Sequence, residues 1–172
     1  MVEVINNIIP IEYQKEIKNY IFHSNFPWFY NDKTVYSLLI ENHPQFTHTL
    51  INNGVIKDEW LCPRILQFFT QSIPEFKTHR LDRCKINFNL PHRKKDIQTP
   101  HIDSDTEGAV SYIYFINDSD GPTRIYHSKW NTQKINPAQG RAIKLSSNQL
   151  HSGNIPVKYQ GRYVINFVFE PR

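Results

Sequence analysis

Residues 99–106, TPHIDSDT, set a histidine and an aspartate two positions apart, His101 and Asp103. On an extended backbone positions i and i+2 share a face. An imidazole and a carboxylate placed this way can grip one ion together. A metal site needs at least one more ligand, and His151, in SSNQLHSGN, is the candidate. Two imidazoles and one carboxylate fill three adjacent corners of an octahedron, the facial arrangement of non-haem Fe(II) sites. Three corners stay open for other ligands. Eleven residues beyond His151, Arg162 opens RYVINFVF and shares a strand face with Val164 and Asn166. An arginine on the inward face of an apolar strand demands an anionic partner, because an unpaired buried charge is expensive. No acid lies on its own strand face. A carboxylate ligand suits the planar guanidinium fork.

A His-x-Asp triplet alone is weak in a chain with 8 histidines and 16 acidic residues, and a polar surface loop explains it equally well. The order of the parts is stronger: His-x-Asp opening a β-rich half, an apolar strand, a tight turn, then histidine and arginine. Five other histidines, His23, His43, His48, His79 and His92, lack partners at ligand spacing. They read as surface or hydrogen-bonded groups. His127, in TRIYHSKW, is a weaker candidate for a cavity wall.

The elements that must position these residues fall into two regions. Up to about residue 79 there are helical patches. PIEYQKEIKNYIFHS repeats Tyr13, Ile17 and Ile21 at spacing four, with Tyr20 alongside, an apolar helix stripe. CPRILQFFTQSI does the same with Ile65, Phe69 and Ile73, and Pro63 suits a first helical turn. Between them HPQFTHTLINNGVI reads as strand, Asn53-Gly54 turn, strand. From about residue 80 the period changes. RLDRCKINFNL alternates, with Arg83, Lys85, Asn87 and Asn89 on one face and Ile86, Phe88 and Leu90 on the other. Asparagine is disfavoured in strands. If the face that carries two of them points into the barrel, the interior is polar, as it is around a ligand. AVSYIYFI is almost wholly apolar, a strand buried on both faces. It stops at NDSDGP, residues 117–122, dense in turn formers. TRIYHSKW, GRAIKLSS and GRYVINFVFE supply further strands. Many short strands separated by turns predict a sandwich or barrel, with the helices covering one sheet.

Composition agrees. At 172 residues one domain is expected. Eleven Phe, nine Tyr and three Trp can supply its core. Cys62 and Cys84 are too few for a disulfide framework and lack CxxC spacing, so both are expected as buried thiols in a reducing compartment. The N-terminus shows no basic segment followed by a long apolar run, and no stretch approaches the ~18 apolar residues of a membrane span. A soluble, cytoplasmic protein is expected, without a membrane partner. A net charge of +4 does not specify a nucleic-acid partner. The basic cluster HRKK, residues 92–95, reads as a solvated loop or as a lid that attracts an anion.

TPHIDSD, SYIYFINDSDGPTRIY and LHSGNIPVKYQGRYVINFVF resemble the 2-oxoglutarate/Fe(II)-dependent oxygenases of the prolyl-4-hydroxylase-like type. The resemblance covers residues 80–172, and residues 1–79 resemble that family only as helical support with first strands. It implies a mostly β fold, a double-stranded β-helix or distorted jelly roll, with N-terminal helices packed on the major sheet. It implies that His101, Asp103 and His151 hold Fe(II), and that Arg162 binds the distal carboxylate of 2-oxoglutarate with help from Thr123 and Asn89. Groups behind the ligands should orient the two histidines, and on strand geometry alone Asn166 and Asn87 are candidates. The implied activity is a dioxygenase reaction, using O2 with ascorbate as reductant. It couples decarboxylation of 2-oxoglutarate to hydroxylation of a small-molecule or peptide substrate. There are departures. Phe115 stands where some members have a tyrosine and cannot donate a hydrogen bond. A single Gly121 replaces a Gly-Gly pair.

Two other readings stay open. One is a non-catalytic jelly-roll binding module for a sugar or peptide. The other is a metal enzyme of a different class, such as a cupin-like isomerase, in which Arg162 has no evident role. Substrate choice in such folds sits on variable loops. The aromatic run NFPWFYND, residues 25–32, and the loop PHRKKDIQ can cover the mouth of a site, and they read equally well as core and as solvated loop.

Overall fold

A computed structural model describes residues 2–32, 44–92, 96–128 and 130–172. His43 and positions 93–95 of the basic cluster lie outside the described residues. Strands β1 (Val2–Ile5), β2 (Phe29–Asn31), β3 (Gln45–Asn52), β4 (Val55–Ile56), β5 (His79–Asn89), β6 (Val110–Phe115), β7 (Thr123–Tyr126), β8 (Thr132–Ile135), β9 (Ala142–Ser146), β10 (His151–Gly153) and β11 (Arg162–Pro171) are joined by helices α1 (Ile11–Ile21), α2 (Leu61–Leu66) and α3 (Glu75–Thr78). The major sheet runs β1-β9-β6-β11-β5-β3-β2, with β4 paired to β3, and the minor sheet runs β10-β7-β8. Every pairing between these strands is antiparallel. This is the double-stranded β-helix.

Strand alternation sorts the side chains into two compartments. On the outer face of the major sheet Cys84, Ile86, Tyr112, Tyr114, Ile165, Phe167 and Phe169 join Ile17 and Ile21 of α1 and Ile65 of α2 in one core. Phe69, wholly buried, sits against Tyr114 at 5.0 Å and Phe167 at 4.9 Å between ring centres. Glu75 enters this core paired: its carboxylate takes Lys144 Nζ at 2.7 Å and the Tyr112 hydroxyl at 2.6 Å. Between the sheets lies a smaller apolar cluster of Ile113, Phe115, Ile125, Ile135, Ile143, Leu145 and Val164. Beside it the interior is polar, lined from β5 by Arg83, Lys85, Asn87 and Asn89. The polar face predicted for RLDRCKINFNL therefore does face the barrel interior.

Several local expectations need correction. Tyr13 is 43% exposed, because Gln14 takes the inward position of α1 and its amide donates to the Ile9 carbonyl. The stripe is Gln14, Ile17 and Ile21. Ile65, Phe69 and Ile73 are all buried, but α2 ends at Leu66 and turns carry the chain onward. Leu90 falls beyond β5 and is exposed. Strand β1, absent from the sequence reading, pairs with β9 at the sheet edge. The Asn53-Gly54 turn forms as expected, with φ of 52° and 71° at its two positions, the left-handed pair this hairpin requires. Both cysteines are buried free thiols. Among the described residues no helix is long and apolar enough to cross a membrane.

Candidate metal centre and anion pocket

The segment bearing His101 and Asp103 runs antiparallel to residues 147–154 on a sparse ladder. Gln98 N–H donates to the Gly153 carbonyl, and Asp103 N–H to that of Ser147. His101 and His151 each donate their backbone N–H to the other's carbonyl, both at 2.9 Å. That rung sets the two imidazole rings 4.6 Å apart. His151 is also fixed by β10 pairing with β7, opposite Ile125. One ligand atom each from His101, Asp103 and His151 lies within 4.8 Å of the others.

The second atoms of these side chains are occupied elsewhere. His101 Nδ1 lies 3.2 Å from the Thr99 carbonyl and His151 Nδ1 lies 2.9 Å from that of Gln149. A carbonyl only accepts, so both Nδ1 atoms carry a proton and Nε2 is the ligand atom each ring has left to offer. Asp103 Oδ1 accepts from Arg83 Nη2 at 2.6 Å and Asn166 Nδ2 at 3.0 Å. Its Oδ2 is buried without a hydrogen-bond partner, 3.8 Å from His151 Nε2. A buried carboxylate oxygen left unpaired is costly. Burial also raises the Asp103 pKa, yet His151, Arg83 and His101 overcome this and hold it below the ordinary 3.8. Burial, then His151, pushes His101 below its ordinary value of 6.5. The carboxylate is ionised and the His101 imidazole neutral at pH 7, the forms that bind metal. The residues fit a cation.

Orientation of the histidines comes from backbone carbonyls, not from Asn166 and Asn87. Asn166 instead aligns Asp103, and Asn87 Oδ1 is buried without a partner. Arg83, the other group that aligns Asp103, shows in the sequence only as part of a polar strand face. Carbonyl partners leave no side-chain signature, whereas Arg83 does: it is a cation facing inward on a central strand.

Arg162 starts β11, 5% exposed. Its Nη2 donates to Thr123 Oγ1 at 2.8 Å and its Nη1 to Asn89 Oδ1 at 3.4 Å. Its Nε is buried without a partner, and no acid among the described residues pairs with it. Burial pushes its pKa down to about 10, which leaves it charged at pH 7. The Phe115 ring lies under the guanidinium at 5.5 Å. A side chain at Gly153 would collide with Gln98, and one at Gly121 with the Asn154 carbonyl; both would also press on Arg162. The turn 117–122 does more than reverse the chain. Asp120 accepts from the backbone N–H groups of Val157 and Lys158, and Asn117 clasps Gly161 and Tyr163, so the turn fixes the loop leading into Arg162. A cavity of about 260 Å³ connects Arg162, Thr123 and Asn89 with His101, Asp103 and His151. His127 is exposed and bonds to Gln133, outside that wall. The run 25–32 divides: Phe26 and Trp28 pack inward, while Phe29 and Tyr30 are exposed.

No protein-family model matches this chain, and no curated protein matches it in sequence. Solved structures do match in fold. A 2OG-Fe(II) oxygenase family oxidoreductase from Burkholderia pseudomallei superposes with a TM-score of 0.76 at 14% identity, over 98% of this chain and 84% of that one. A prolyl-4-hydroxylase from Pseudomonas putida gives 0.63 at 12% identity, over 99% and 92%. The epimerase SnoN from nogalamycin biosynthesis, solved with Fe3+, alpha ketoglutarate and nogalamycin RO, gives 0.66 at 10% identity, over 99% and 78%. At these identities the likeness is one of fold. The chain has the fold of the 2OG-Fe(II) oxygenases.

Proposed function

We propose that this protein is an Fe(II)- and 2-oxoglutarate-dependent dioxygenase that hydroxylates a C–H bond of a prolyl or other amino-acid residue, or of a small metabolite. One observation carries the reading. One ligand atom each from His101, Asp103 and His151 lies within 4.8 Å of the others, and a buried guanidinium with no counter-charge among the described residues lies across the same cavity. Iron bound there supplies oxygen activation coupled to decarboxylation of 2-oxoglutarate.

The chain's own residues do the rest. His101 Nε2, His151 Nε2 and Asp103 Oδ2 would hold the ion, with Arg83 and Asn166 keeping Asp103 aligned. Arg162 would take the distal carboxylate of 2-oxoglutarate. Thr123 accepts from Arg162 and so keeps its own hydroxyl proton to donate to that carboxylate. Asn89 accepts from Arg162 and donates to Gln45, so it positions the guanidinium. The apolar cluster around Phe115 and Val164 excludes water from that end.

The test is the visible spectrum of the protein under anaerobic conditions. Fe(II) and 2-oxoglutarate added together are expected to give a weak charge-transfer band that neither gives alone. No band, with calorimetry showing no Fe(II) binding, would leave the non-catalytic binding module as the better reading. Asp103→Ala and His101→Ala are expected to lower iron-dependent 2-oxoglutarate turnover by about 100-fold or more, while the fold survives. Undiminished turnover in both would remove the assignment.

A further inference from the structure

Strand β5 presents four polar residues to the cavity, and two of them have side-chain partners among the described residues. Arg83 is matched by Asp103, while Asn89 bonds Arg162 and Gln45. Asn87 Nδ2 is free to turn toward the cavity but carries no charge. Lys85 differs. It is half-buried, lines the cavity, and makes no hydrogen bond or ion pair with the described residues. Its neighbours in register are neutral, Asn166 on β11 and Thr49 on β3. Burial, then the Arg83 charge, lowers its pKa. An ammonium placed there is uncompensated by the described residues.

The position of Lys85 indicates which anion it serves. The carboxylates already assigned have their cations: Asp103 has Arg83, and the distal carboxylate of 2-oxoglutarate would have Arg162. Asn166, directly across from Lys85, bonds Asp103, so Lys85 stands beside the metal end. Arg162 lies opposite Asn89, four residues and about 13 Å further along the strand. On its other side Lys85 faces Thr49, which lines a second cavity with Thr47, Asn31 and Phe29. Phe29 is 61% exposed on β2, in register with Thr47 and so about 10 Å from β5. Lys57 and Asp58, of opposite charge, also line that second cavity. Among the described residues Lys85 is thus the cation without a counter-charge beside the reacting centre, with a bare aromatic ring two strands away.

We propose that Lys85 binds a carboxylate of the primary substrate, whose apolar body lies along β3 toward Phe29. The substrate class is a small carboxylic acid with an aromatic or apolar body. The inference rests on the oxygenase reading and adds the substrate's anchoring group to it.

Phenylacetate is the probe, with phenylacetamide as its uncharged counterpart. Binding is measured by ligand-observed NMR on the protein saturated with 2-oxoglutarate. The wild type is expected to bind phenylacetate, with about tenfold preference over the amide. Lys85→Met is expected to weaken phenylacetate by about tenfold and to abolish the preference. Lys85→Arg keeps it, and so does Arg162→Met. Loss that follows Arg162→Met and not Lys85→Met means that the probe sits in the cosubstrate pocket, which overturns the proposal. So does equal binding by wild type and Lys85→Met, or no binding to the wild type at millimolar concentrations. Lys85→Met is expected to melt at or above the wild-type temperature, since it removes an uncompensated charge. A misfolded variant makes Lys85 structural and overturns the proposal as well. The half-saturating 2-oxoglutarate concentration, read from the Fe(II) charge-transfer band, separates the two readings. Absence of the band in the wild type removes the oxygenase reading while phenylacetate binding is judged alone. A shift of that concentration in Lys85→Met makes Lys85 a cosubstrate group and overturns the inference.

Discussion

Strands β5 and β11 lie side by side and show two unlike faces. Outward, Cys84, Ile86, Ile165, Phe167 and Phe169 are buried against the helices and one another. Inward, at the alternate positions, stand Arg83, Lys85, Asn87, Arg162 and Asn166, three of them cations and several with unmet hydrogen-bonding atoms. The same pair of strands is thus a source of stability on one side and a cost on the other. Stability and binding are separated by the strand period of two. A substitution on one face is expected to leave the other face's property almost untouched.

The sharpest way to break that separation is at Phe69. Phe69→Ala removes a wholly buried ring from the outer core and is expected to cost about 3–5 kcal/mol in denaturant unfolding. The folded fraction should still show the Fe(II) and 2-oxoglutarate band with unchanged affinities. The complementary change is Arg162→Met. It is expected to raise the half-saturating 2-oxoglutarate concentration by about 10- to 100-fold, with iron affinity unchanged, because a charge-assisted hydrogen-bond pair is lost. Its melting temperature is expected to match or exceed the wild type, because a buried cation with no counter-ion among the described residues is removed. Equal weakening of iron and 2-oxoglutarate would make Arg162 a general structural residue. The smallest effect concerns the charge that the outer core does tolerate. Burial raises the Glu75 pKa, but Lys144 and Tyr112 outweigh it and hold the carboxyl below its ordinary 4.5. A depressed pKa contributes stability that is present above 4.5 and is lost as pH falls through the lower folded value. Glu75→Gln is expected to flatten that part of the pH–stability profile, measured by urea unfolding between pH 3 and pH 6, and to leave binding unchanged.

Much of this arrangement is legible in the sequence because it depends on local period. RLDRCKINFNL alternates in sequence and in space, and the apolar run of β6 is buried on both sides. Asn53-Gly54 makes its turn from its own backbone preferences. The relation of His101, Asp103, His151 and Arg162 follows from their order along the chain, which in this fold brings them into one cavity. What the sequence conceals depends on distant partners. VEVI at the N-terminus is a strand only because β9, well over a hundred residues later, presents an edge to it. Strand β8, largely exposed, is ordered by pairing with β7 and has little apolar pattern to announce it. Tyr13 and Gln14 exchange their expected places because the Ile9 carbonyl needs a donor inside the fold. The groups that orient the histidines are main-chain carbonyls, common to every residue type.

The rung between His101 and His151 has one more consequence. The segment carrying His101 and Asp103 is joined to residues 147–154 by a few backbone bonds, whereas His151 belongs to β10 and is anchored by β7. Opening that sparse ladder withdraws two of the three ligands together and leaves the third in place. An ion held by all three fastens the seam, so local opening and metal release become one equilibrium. In hydrogen-exchange terms, the amides of His101 and Asp103 are the built-in gauge of occupancy, and that of Ile125 in the anchored sheet is their reference.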